Sequence, residues 1–333
     1  MTGRSRPLVA FGSLGGTITM TPFPSSGGIE PRLTAEDLAA SVPGLDGVAE
    51  VRVATLARVP SASLLPQDVV DAVAWAREQV AAGAAGVVLA QGTDTLEETS
   101  FLAGLYWDLP EPLVVTGAMR GPAQASPDGP ANLLAACRVA TAPAFRDAGV
   151  LVVLDDTVHA ARTVRKTHSW SLGAFHSADG GPVGQVVEGA VHVHRLPRRG
   201  APLPRPRTDP DVPLLETFLG DDGALLRTVR EHGARGVAIS AFGAGHTSTG
   251  LAEEISTTVA AGIPVVVSTR TGAGGTLTGT YGFAGSEIDL QARGAVLTGA
   301  LDARKSRLLL WALLAGGVPR ERVTGHFLEH SGR

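Results

Sequence analysis

The stretch at residues 86–107, GVVLAQGTDTLEETSFLAGLYW, constrains the fold of this chain more than any other. Gly86–Ala90 is a short apolar run with glycines on both sides, which is typical of a buried strand. A polar turn follows, and the apolar side chains behind it recur at helical spacing. The sequence therefore predicts a strand, a tight turn and a helix, with Thr93 and Asp94 at the carboxyl end of the strand. In open α/β sheets, ligands bind at that edge.

These residues also have a purely structural interpretation. Thr95 and Glu98 have the spacing of a capping box. A Thr-Asp pair before a helix is more often a cap than a site, by roughly four to one. A second glycine-rich turn near the N-terminus changes this balance, because residues 12–17, GSLGGT, follow a predicted strand at residues 8–11. The turn matches neither G-x-G-x-x-G nor a P-loop, so the sequence gives little support to a nucleotide-binding site.

The alternation of strands and helices predicts the fold class. Predicted strands lie at residues 51–56, 86–90, 113–116 and 150–154, and predicted helices at 34–42, 67–82 and 131–140. This pattern indicates a parallel sheet with helices on both faces. Residues 196–213 are rich in Pro and Arg and are predicted to be a linker. Beyond them the pattern restarts, with predicted helices at 225–232, 249–261 and 304–314 and strands at 236–240 and 264–268.

We therefore predict an α/β protein with a larger doubly wound, mostly parallel-sheet domain and a smaller α/β domain. The larger domain would span residues 1–195 and the smaller one residues 214–333. Residues 19–31 lack periodicity and are rich in Pro, Gly and Ser, which indicates a mobile lid over the first glycine-rich turn.

Composition excludes several classes of partner. The formal net charge of −4 argues against binding to nucleic acid or to an anionic membrane. The single cysteine, Cys137, excludes an internal disulfide, and its apolar neighbours indicate a buried helix position. The spacing of His159, His168 and His176 matches no metal signature, so no metal site is predicted. No apolar stretch is long enough for a signal-peptide core or a membrane span, and we expect a cytoplasmic protein.

Two motifs together resemble the signature of bacterial-type L-asparaginases and glutaminase-asparaginases. Residues 12–18 resemble the first family motif, which ends in Gly-Gly-Thr-Ile, and residues 86–96 the second, which ends in Gly-Thr-Asp-Thr plus an aliphatic residue. The resemblance extends over nearly the whole chain, through GAMRGPAQASPDGPANL, HAARTVRKTHSWSLGAFHSADGGPVG and YGFAGSEIDLQARGAVLTG. The family hydrolyses the side-chain amide of asparagine without metal or cofactor, so the resemblance implies that neither is needed here.

The resemblance also implies catalytic roles. Thr17 would be the primary nucleophile beneath the lid, and Thr93, Asp94 and Lys166 would form a second constellation. These residue types suit amide hydrolysis, because a threonine hydroxyl is a poor nucleophile until a base takes its proton. A lysine under desolvation can be that base, and Asp94 can hold it in place. Taken alone, however, Lys166 would be interpreted as a solvated surface lysine.

Substrate binding follows from the same resemblance. Ser61 would contact the α-carboxylate and Asp94 the α-ammonium of the substrate. The backbone N–H groups of Thr93 and Ala118 would form the oxyanion hole. The family assembles as homo-oligomers, so we expect a homodimer or homotetramer. His246 and Glu287 are candidates for residues that a neighbouring subunit adds to the site.

Three positions depart from the family pattern. Leu14 stands where the family usually has Thr, and Gln91 where it usually has His, and we expect these to change packing rather than chemistry. The lid tyrosine that activates the threonine is missing, with Gly28 at the corresponding position, so the sequence leaves the activating group open.

Alternatives to an L-asparaginase remain. One is an amidohydrolase for glutamine, either a glutaminase-asparaginase or a glutamine amidotransferase-type subunit. Such subunits usually carry an extra N-terminal domain, whereas this sequence reaches its first predicted strand almost at once. The other is a non-catalytic α/β amino-acid-binding protein. Retention of Thr17, Thr93, Asp94 and Lys166 argues against it, because a plain binder needs neither a nucleophile nor a base.

Overall fold

The computed structural model describes residues 6–23 and 28–331. The chain divides into two compact units, Met1–Pro202 and Leu203–Arg333. Our finer domain bounds, and the linker at residues 196–213, stay predictions. None of the helices within the described residues is long and apolar enough to span a membrane.

The first unit is built around an eight-stranded sheet with helices beside it. Its strands are β1 Leu8–Gly15, β2 Met20–Phe23, β3 Gly28–Pro31, β4 Glu50–Val59, β5 Gly86–Ala90, β6 Leu113–Thr116, β7 Val150–Leu154, β8 Thr157–Ala160, β9 Arg165–Lys166, β10 Phe175–His176, β11 Gly184–Val187 and β12 Ala190–Val193. Its α-helices are α1 Ala35–Ala40, α2 Pro66–Ala81, α3 Leu96–Tyr106 and α4 Gly129–Ala140.

The main sheet has the strand order β12-β11-β8-β7-β6-β5-β1-β4. Strands β4, β1, β5, β6 and β7 run parallel, and β8, β11 and β12 extend the sheet in antiparallel pairs. The first parallel strand in the chain, β1, lies between the second and third, β4 and β5. The direction of winding therefore reverses beside β1, and ligands bind at such a switch point.

Apolar residues that alternate along the strands face helices on both sides of this sheet. Val9 and Val88 belong to the same core cluster as Leu38 of α1 and Leu133 of α4. On the opposite face, a Cβ added at Gly12 would lie 2.8 Å from the ring of Trp75 in α2. Because successive side chains of a strand point to opposite faces, the sheet is covered twice, and the predicted doubly wound architecture is confirmed.

Three local predictions for this unit were wrong or incomplete. Strands β8, β11 and β12 were not predicted. Much of the predicted mobile lid forms an antiparallel hairpin of β2 and β3, while its residues 24–27 lie outside the described residues. The capping box at Thr95 is absent, because the Thr95 hydroxyl donates to the carbonyl of Ser61 at 3.0 Å instead.

The second unit has a four-stranded parallel sheet in the order β13-β14-β15-β16. These strands are β13 Leu214–Glu216, β14 Val237–Ala241, β15 Val265–Thr269 and β16 Val296–Leu297, and the helices are α5 Ala224–Glu231, α6 Thr249–Ala260, α7 Glu287–Ala292, α8 Ala303–Ala315 and α9 Arg320–Ser331. The smaller α/β domain is confirmed. The helix predicted as the last one corresponds to α8, and the more polar α9 follows it.

Candidate active site

Glycines bring three turns together at the carboxyl edge of the parallel strands. Gly16, just after β1, has a φ of 85°. A Cβ added there would lie 1.9 Å from the backbone nitrogen of Gly92, just after β5. A Cβ on Gly92 would in turn lie 2.6 Å from Oγ of Ser61, which follows β4. Because no side chain fits between them, the backbones of the Gly16 and Gly92 turns are in direct contact, and the Ser61 side chain packs against Gly92.

Thr17 follows this contact and begins a short 3₁₀ helix, Thr17–Thr19. Its side chain is half-buried, while Ile18 and Thr19 are buried. The Thr19 hydroxyl donates to the carbonyl of Gly16 at 2.8 Å, which closes the turn. The carbonyl of Thr19 accepts the N–H of Arg32 at 2.9 Å, which ties the turn to the chain beyond β3. Thr17 is therefore held at the sheet edge and is partly accessible.

Lys166 meets Thr93 and Asp94 in this part of the structure. Its Nζ lies 2.9 Å from Oγ1 of Thr93 and 2.8 Å from Oδ1 of Asp94. The side chain of Lys166 is 15% exposed and that of Asp94 is 69% exposed, so the ion pair opens to solvent on the carboxylate side. The solvated-lysine interpretation is therefore wrong. Because its carboxylate side is solvated, this ion pair contributes little to stability, on the order of 1 kcal/mol.

A buried carboxylate that the sequence did not single out also holds the strand that carries Lys166. Oε2 of Glu97, on the first turn of α3, accepts the backbone N–H of Lys166 at 2.5 Å. Glu97 is 2% exposed. Strand β9 pairs with β10 and lies outside the eight-stranded sheet. Glu97 therefore links the backbone of Lys166 to the same helix that follows Thr93 and Asp94.

Ser61 lies against the Asp94 turn. It is 3% exposed, and its Oγ accepts the backbone N–H of Asp94 at 3.2 Å. Because the hydroxyl accepts in this bond, its own proton can be donated to a ligand oxygen. The structure thus brings Ser61 together with Thr93, Asp94 and Lys166.

Ala118 follows β6 on a segment whose backbone is fixed on both sides. Nδ2 of Asn132 donates to the carbonyl of Gly117 at 3.0 Å, and the Asp128 carboxylate accepts the N–H of Met119 at 3.0 Å. Asn132 is itself bound to Asp128 at 3.0 Å. These two residues of the α4 region were not singled out from the sequence. They fix the peptide plane that contains the Ala118 N–H and the peptide plane that follows it, which suits a preorganised donor.

His246 and Glu287 lie in the second unit and contact each other. Oε2 of Glu287 is 3.1 Å from Nε2 of His246, and its Oε1 accepts the N–H groups of Thr280 at 2.7 Å and Tyr281 at 2.6 Å. Burial acts to raise the pKa of Glu287, but the backbone N–H donors outweigh it and hold that pKa below its ordinary value. Glu287 therefore organises its own loop, and the predicted role of both residues in a neighbouring subunit's site stays a prediction.

Two other groups noted in the sequence, His159 and Cys137, are buried in the first unit. His159 is 3% exposed, and its Nδ1 lies 3.0 Å from Oγ of Ser177. Burial, with a smaller contribution from the charge of His176, lowers the pKa of His159 to about 4, so its ring is neutral at physiological pH. Cys137 is buried as predicted, and burial raises the pKa of its thiol to about 12.

Comparison with known proteins gives a consistent family assignment. The family model "Asparaginase, N-terminal" matches residues 8–199, and the "Glutaminase/Asparaginase C-terminal domain" model matches residues 211–327. A probable L-asparaginase from Deinococcus radiodurans is 36% identical over 332 residues, which cover 98% of each chain. An L-asparaginase from Bacillus licheniformis is 33% identical over 69% of this chain and 71% of its own.

A solved L-asparaginase structure and an amidotransferase component are also similar to this chain. The probable cytoplasmic L-asparaginase from Campylobacter jejuni superposes with a TM-score of 0.87 at 26% identity, covering 97% of this chain and 100% of that one. One component of the glutamyl-tRNA(Gln) amidotransferase from Halobacterium salinarum is 29% identical over 96% of this chain and 79% of its own.

The contact between Gly16 and Gly92 predicts a position-specific loss of stability. Gly16→Ala adds a Cβ that meets backbone at 1.9 Å, so the two turns must separate. Gly44→Ala is the matched control, because Gly44 also has a positive φ, 77°, but nothing lies within 4 Å of its added Cβ. Backbone strain alone costs about 1–2 kcal/mol. We expect Gly16→Ala to lower the thermal midpoint well beyond Gly44→Ala; equal midpoints would show that the turns are not in contact.

Proposed function

The chain belongs to the L-asparaginase family of amidohydrolases, and we propose that it hydrolyses the side-chain amide of L-asparagine to L-aspartate and ammonia. The observation that carries the proposal is the contact of Lys166 Nζ with Thr93 and Asp94 beside the turn that carries Thr17. A nucleophile, a proton carrier and oxyanion donors are what amide hydrolysis requires.

In the proposed mechanism, Oγ1 of Thr17 attacks the amide carbon and loses its proton. The backbone N–H groups of Thr93 and Ala118 stabilise the oxyanion that forms. As the C–N bond breaks, the proton lost by Thr17 passes to the leaving NH₂ group, which departs as ammonia and leaves an ester of the substrate on Thr17. Water then attacks this ester, its oxygen forms the new carboxylate of aspartate, and one of its protons passes to Oγ1 of Thr17 as the ester bond breaks.

Thr93 and Lys166 would carry the proton through these steps. The 2.9 Å contact lets the Thr93 hydroxyl exchange a proton with the lysine amine, and Asp94 keeps the amine in place. Asp94 is sufficiently exposed to receive the substrate's α-ammonium as well. The Ser61 hydroxyl would donate a hydrogen bond to the α-carboxylate. Ser61 and Asp94 would thus recognise the carboxylate and the ammonium group of the amino acid.

We further propose a cytoplasmic homodimer or homotetramer with sites near a subunit boundary. The solved relative from Campylobacter jejuni is described as cytoplasmic, which supports the compartment. The predicted inter-subunit role of His246 and Glu287 belongs to this proposal. Light scattering tests the assembly, and a fully active monomer at assay concentration would contradict it.

Hydrolysis of glutamine is the second candidate function. The similarity to the amidotransferase component favours it. A transamidation role would need a partner that carries tRNA.

Ammonia release by the purified full-length chain tests the function directly. L-asparagine, L-glutamine and D-asparagine are supplied separately at equal concentration, and ammonia is measured over time. We expect release from L-asparagine to be the fastest. Faster release from L-glutamine would favour the second candidate, and no release from any of the three would overturn an amidohydrolase role.

Replacement of Lys166 tests the proposed proton carrier. Lys166→Met keeps the chain length without the amine, and Lys166→Arg keeps the charge on a group that does not deprotonate. Loss of a positioned general base costs about a hundredfold to ten-thousandfold in rate, so both variants should lose nearly all asparagine hydrolysis while thermal midpoints stay near wild type.

Arg52→Met is the control, because Arg52 is an exposed cation on β4. It should change kcat/KM by no more than a few-fold. If Lys166→Met retained more than about a tenth of wild-type kcat/KM, the loss would be too small for the removal of a general base, and the role assigned to Lys166 would be wrong.

A further inference from the structure

Three side chains with metal-binding atoms lie together on the last helix, α9. They are His326, Glu329 and His330, at positions i, i+3 and i+4, which are neighbours on one helix face. One ligand atom from each lies within 4.8 Å of the others. The imidazole rings of His326 and His330 are stacked, with an interplanar angle of 27° and centroids 6.4 Å apart. The two rings therefore lie beside each other on one face of α9.

Burial distinguishes this cluster from histidines exposed on a helix surface. His330 is 7% exposed, and His326 is half-buried. Nδ1 of His326 is buried and has no hydrogen-bond partner within residues 6–23 and 28–331. A buried polar atom without a partner costs about 1–3 kcal/mol, and a metal bond would remove that cost. Glu329 is exposed, so its carboxylate has room to turn toward the imidazoles.

We propose that His326, Glu329 and His330 bind one borderline divalent cation, with Zn²⁺ the best match. Two imidazoles and one carboxylate are a donor set that zinc uses, with water as the fourth ligand. Mg²⁺ and Ca²⁺ prefer oxygen ligands alone, so neither fits this set. Tetrahedral zinc brings its ligand atoms to roughly 3.3 Å from one another, so a rotation of the exposed Glu329 side chain completes the site.

The cluster does not include any of the residues to which amide hydrolysis is assigned. It belongs to the second unit, and Glu329 and His330 lie beyond residues 211–327, which the C-terminal family model covers. The histidine spacings considered in the sequence, at residues 159, 168 and 176, do not include it. A cation that binds the folded chain and not the unfolded one raises its stability, and here it would hold the last turns of α9.

Zinc titration of the EDTA-treated full-length chain tests the site. Isothermal titration calorimetry with ZnCl₂ should give one ion per chain, and MgCl₂ should give no comparable binding. Glu329→Gln changes an exposed side chain and His326→Ala a half-buried one, so both should fold. Each should weaken zinc binding at least tenfold and remove the rise in thermal midpoint that zinc causes in the wild type.

His232→Gln is the matched control, because His232 is an exposed histidine at the end of α5 in the same unit. It should bind zinc as the wild type does. Zinc binding unchanged in both His326→Ala and Glu329→Gln would place the ion elsewhere and overturn the proposal. Absence of stoichiometric zinc binding in the wild type, or equal binding of Mg²⁺, would also overturn it.

Discussion

The candidate site depends on the backbone contact between Gly16 and Gly92. Parallel strands β1 and β5 are neighbours at the point where the winding of the sheet reverses, so their turns leave the same edge side by side. Two glycines let these turns touch, since any side chain at Gly16 would overlap the Gly92 backbone. Each glycine is followed directly by a threonine, and this contact therefore sets how near Thr17 and Thr93 can lie.

Buried or half-buried groups fix the backbone around this edge, while one of the groups assigned to chemistry is largely exposed. Glu97 holds the backbone of Lys166, and Asp128 with Asn132 holds the segment around Ala118. The Asp94 carboxylate, in contrast, is 69% exposed. Fixed donors require no rearrangement when charge develops in a reaction, which is why a rigid backbone beside an open carboxylate suits amide hydrolysis.

The sequence predicted most of the parallel sheet because its strands carry a strong local signal. Gly86–Ala90, Leu113–Thr116 and Val150–Leu154 match the predicted bounds, since buried parallel strands are continuous apolar runs between turn residues. Strand β11 was missed because its four residues, GQVV, are few and include a glycine, so they carry too short an apolar pattern to indicate a strand. Helix α9 was missed because apolar side chains are sparse along it. The carboxylate of Glu97 was missed because its partner lies 69 residues away in the chain, and no local pattern reports such a contact.

In the proposed mechanism Thr93 and Lys166 act as one proton-carrying unit, and a double-mutant cycle on kcat/KM for L-asparagine measures the coupling between them. The cycle compares Thr93→Val, Lys166→Met and the double variant with the wild type, each checked for folding by its thermal midpoint. Residues that act as a unit are strongly non-additive, so the double variant should be no more than a few-fold worse than the poorer single variant. If the double variant instead fell by the product of the two single effects, Thr93 and Lys166 would act independently, and the proton-carrying unit would not exist.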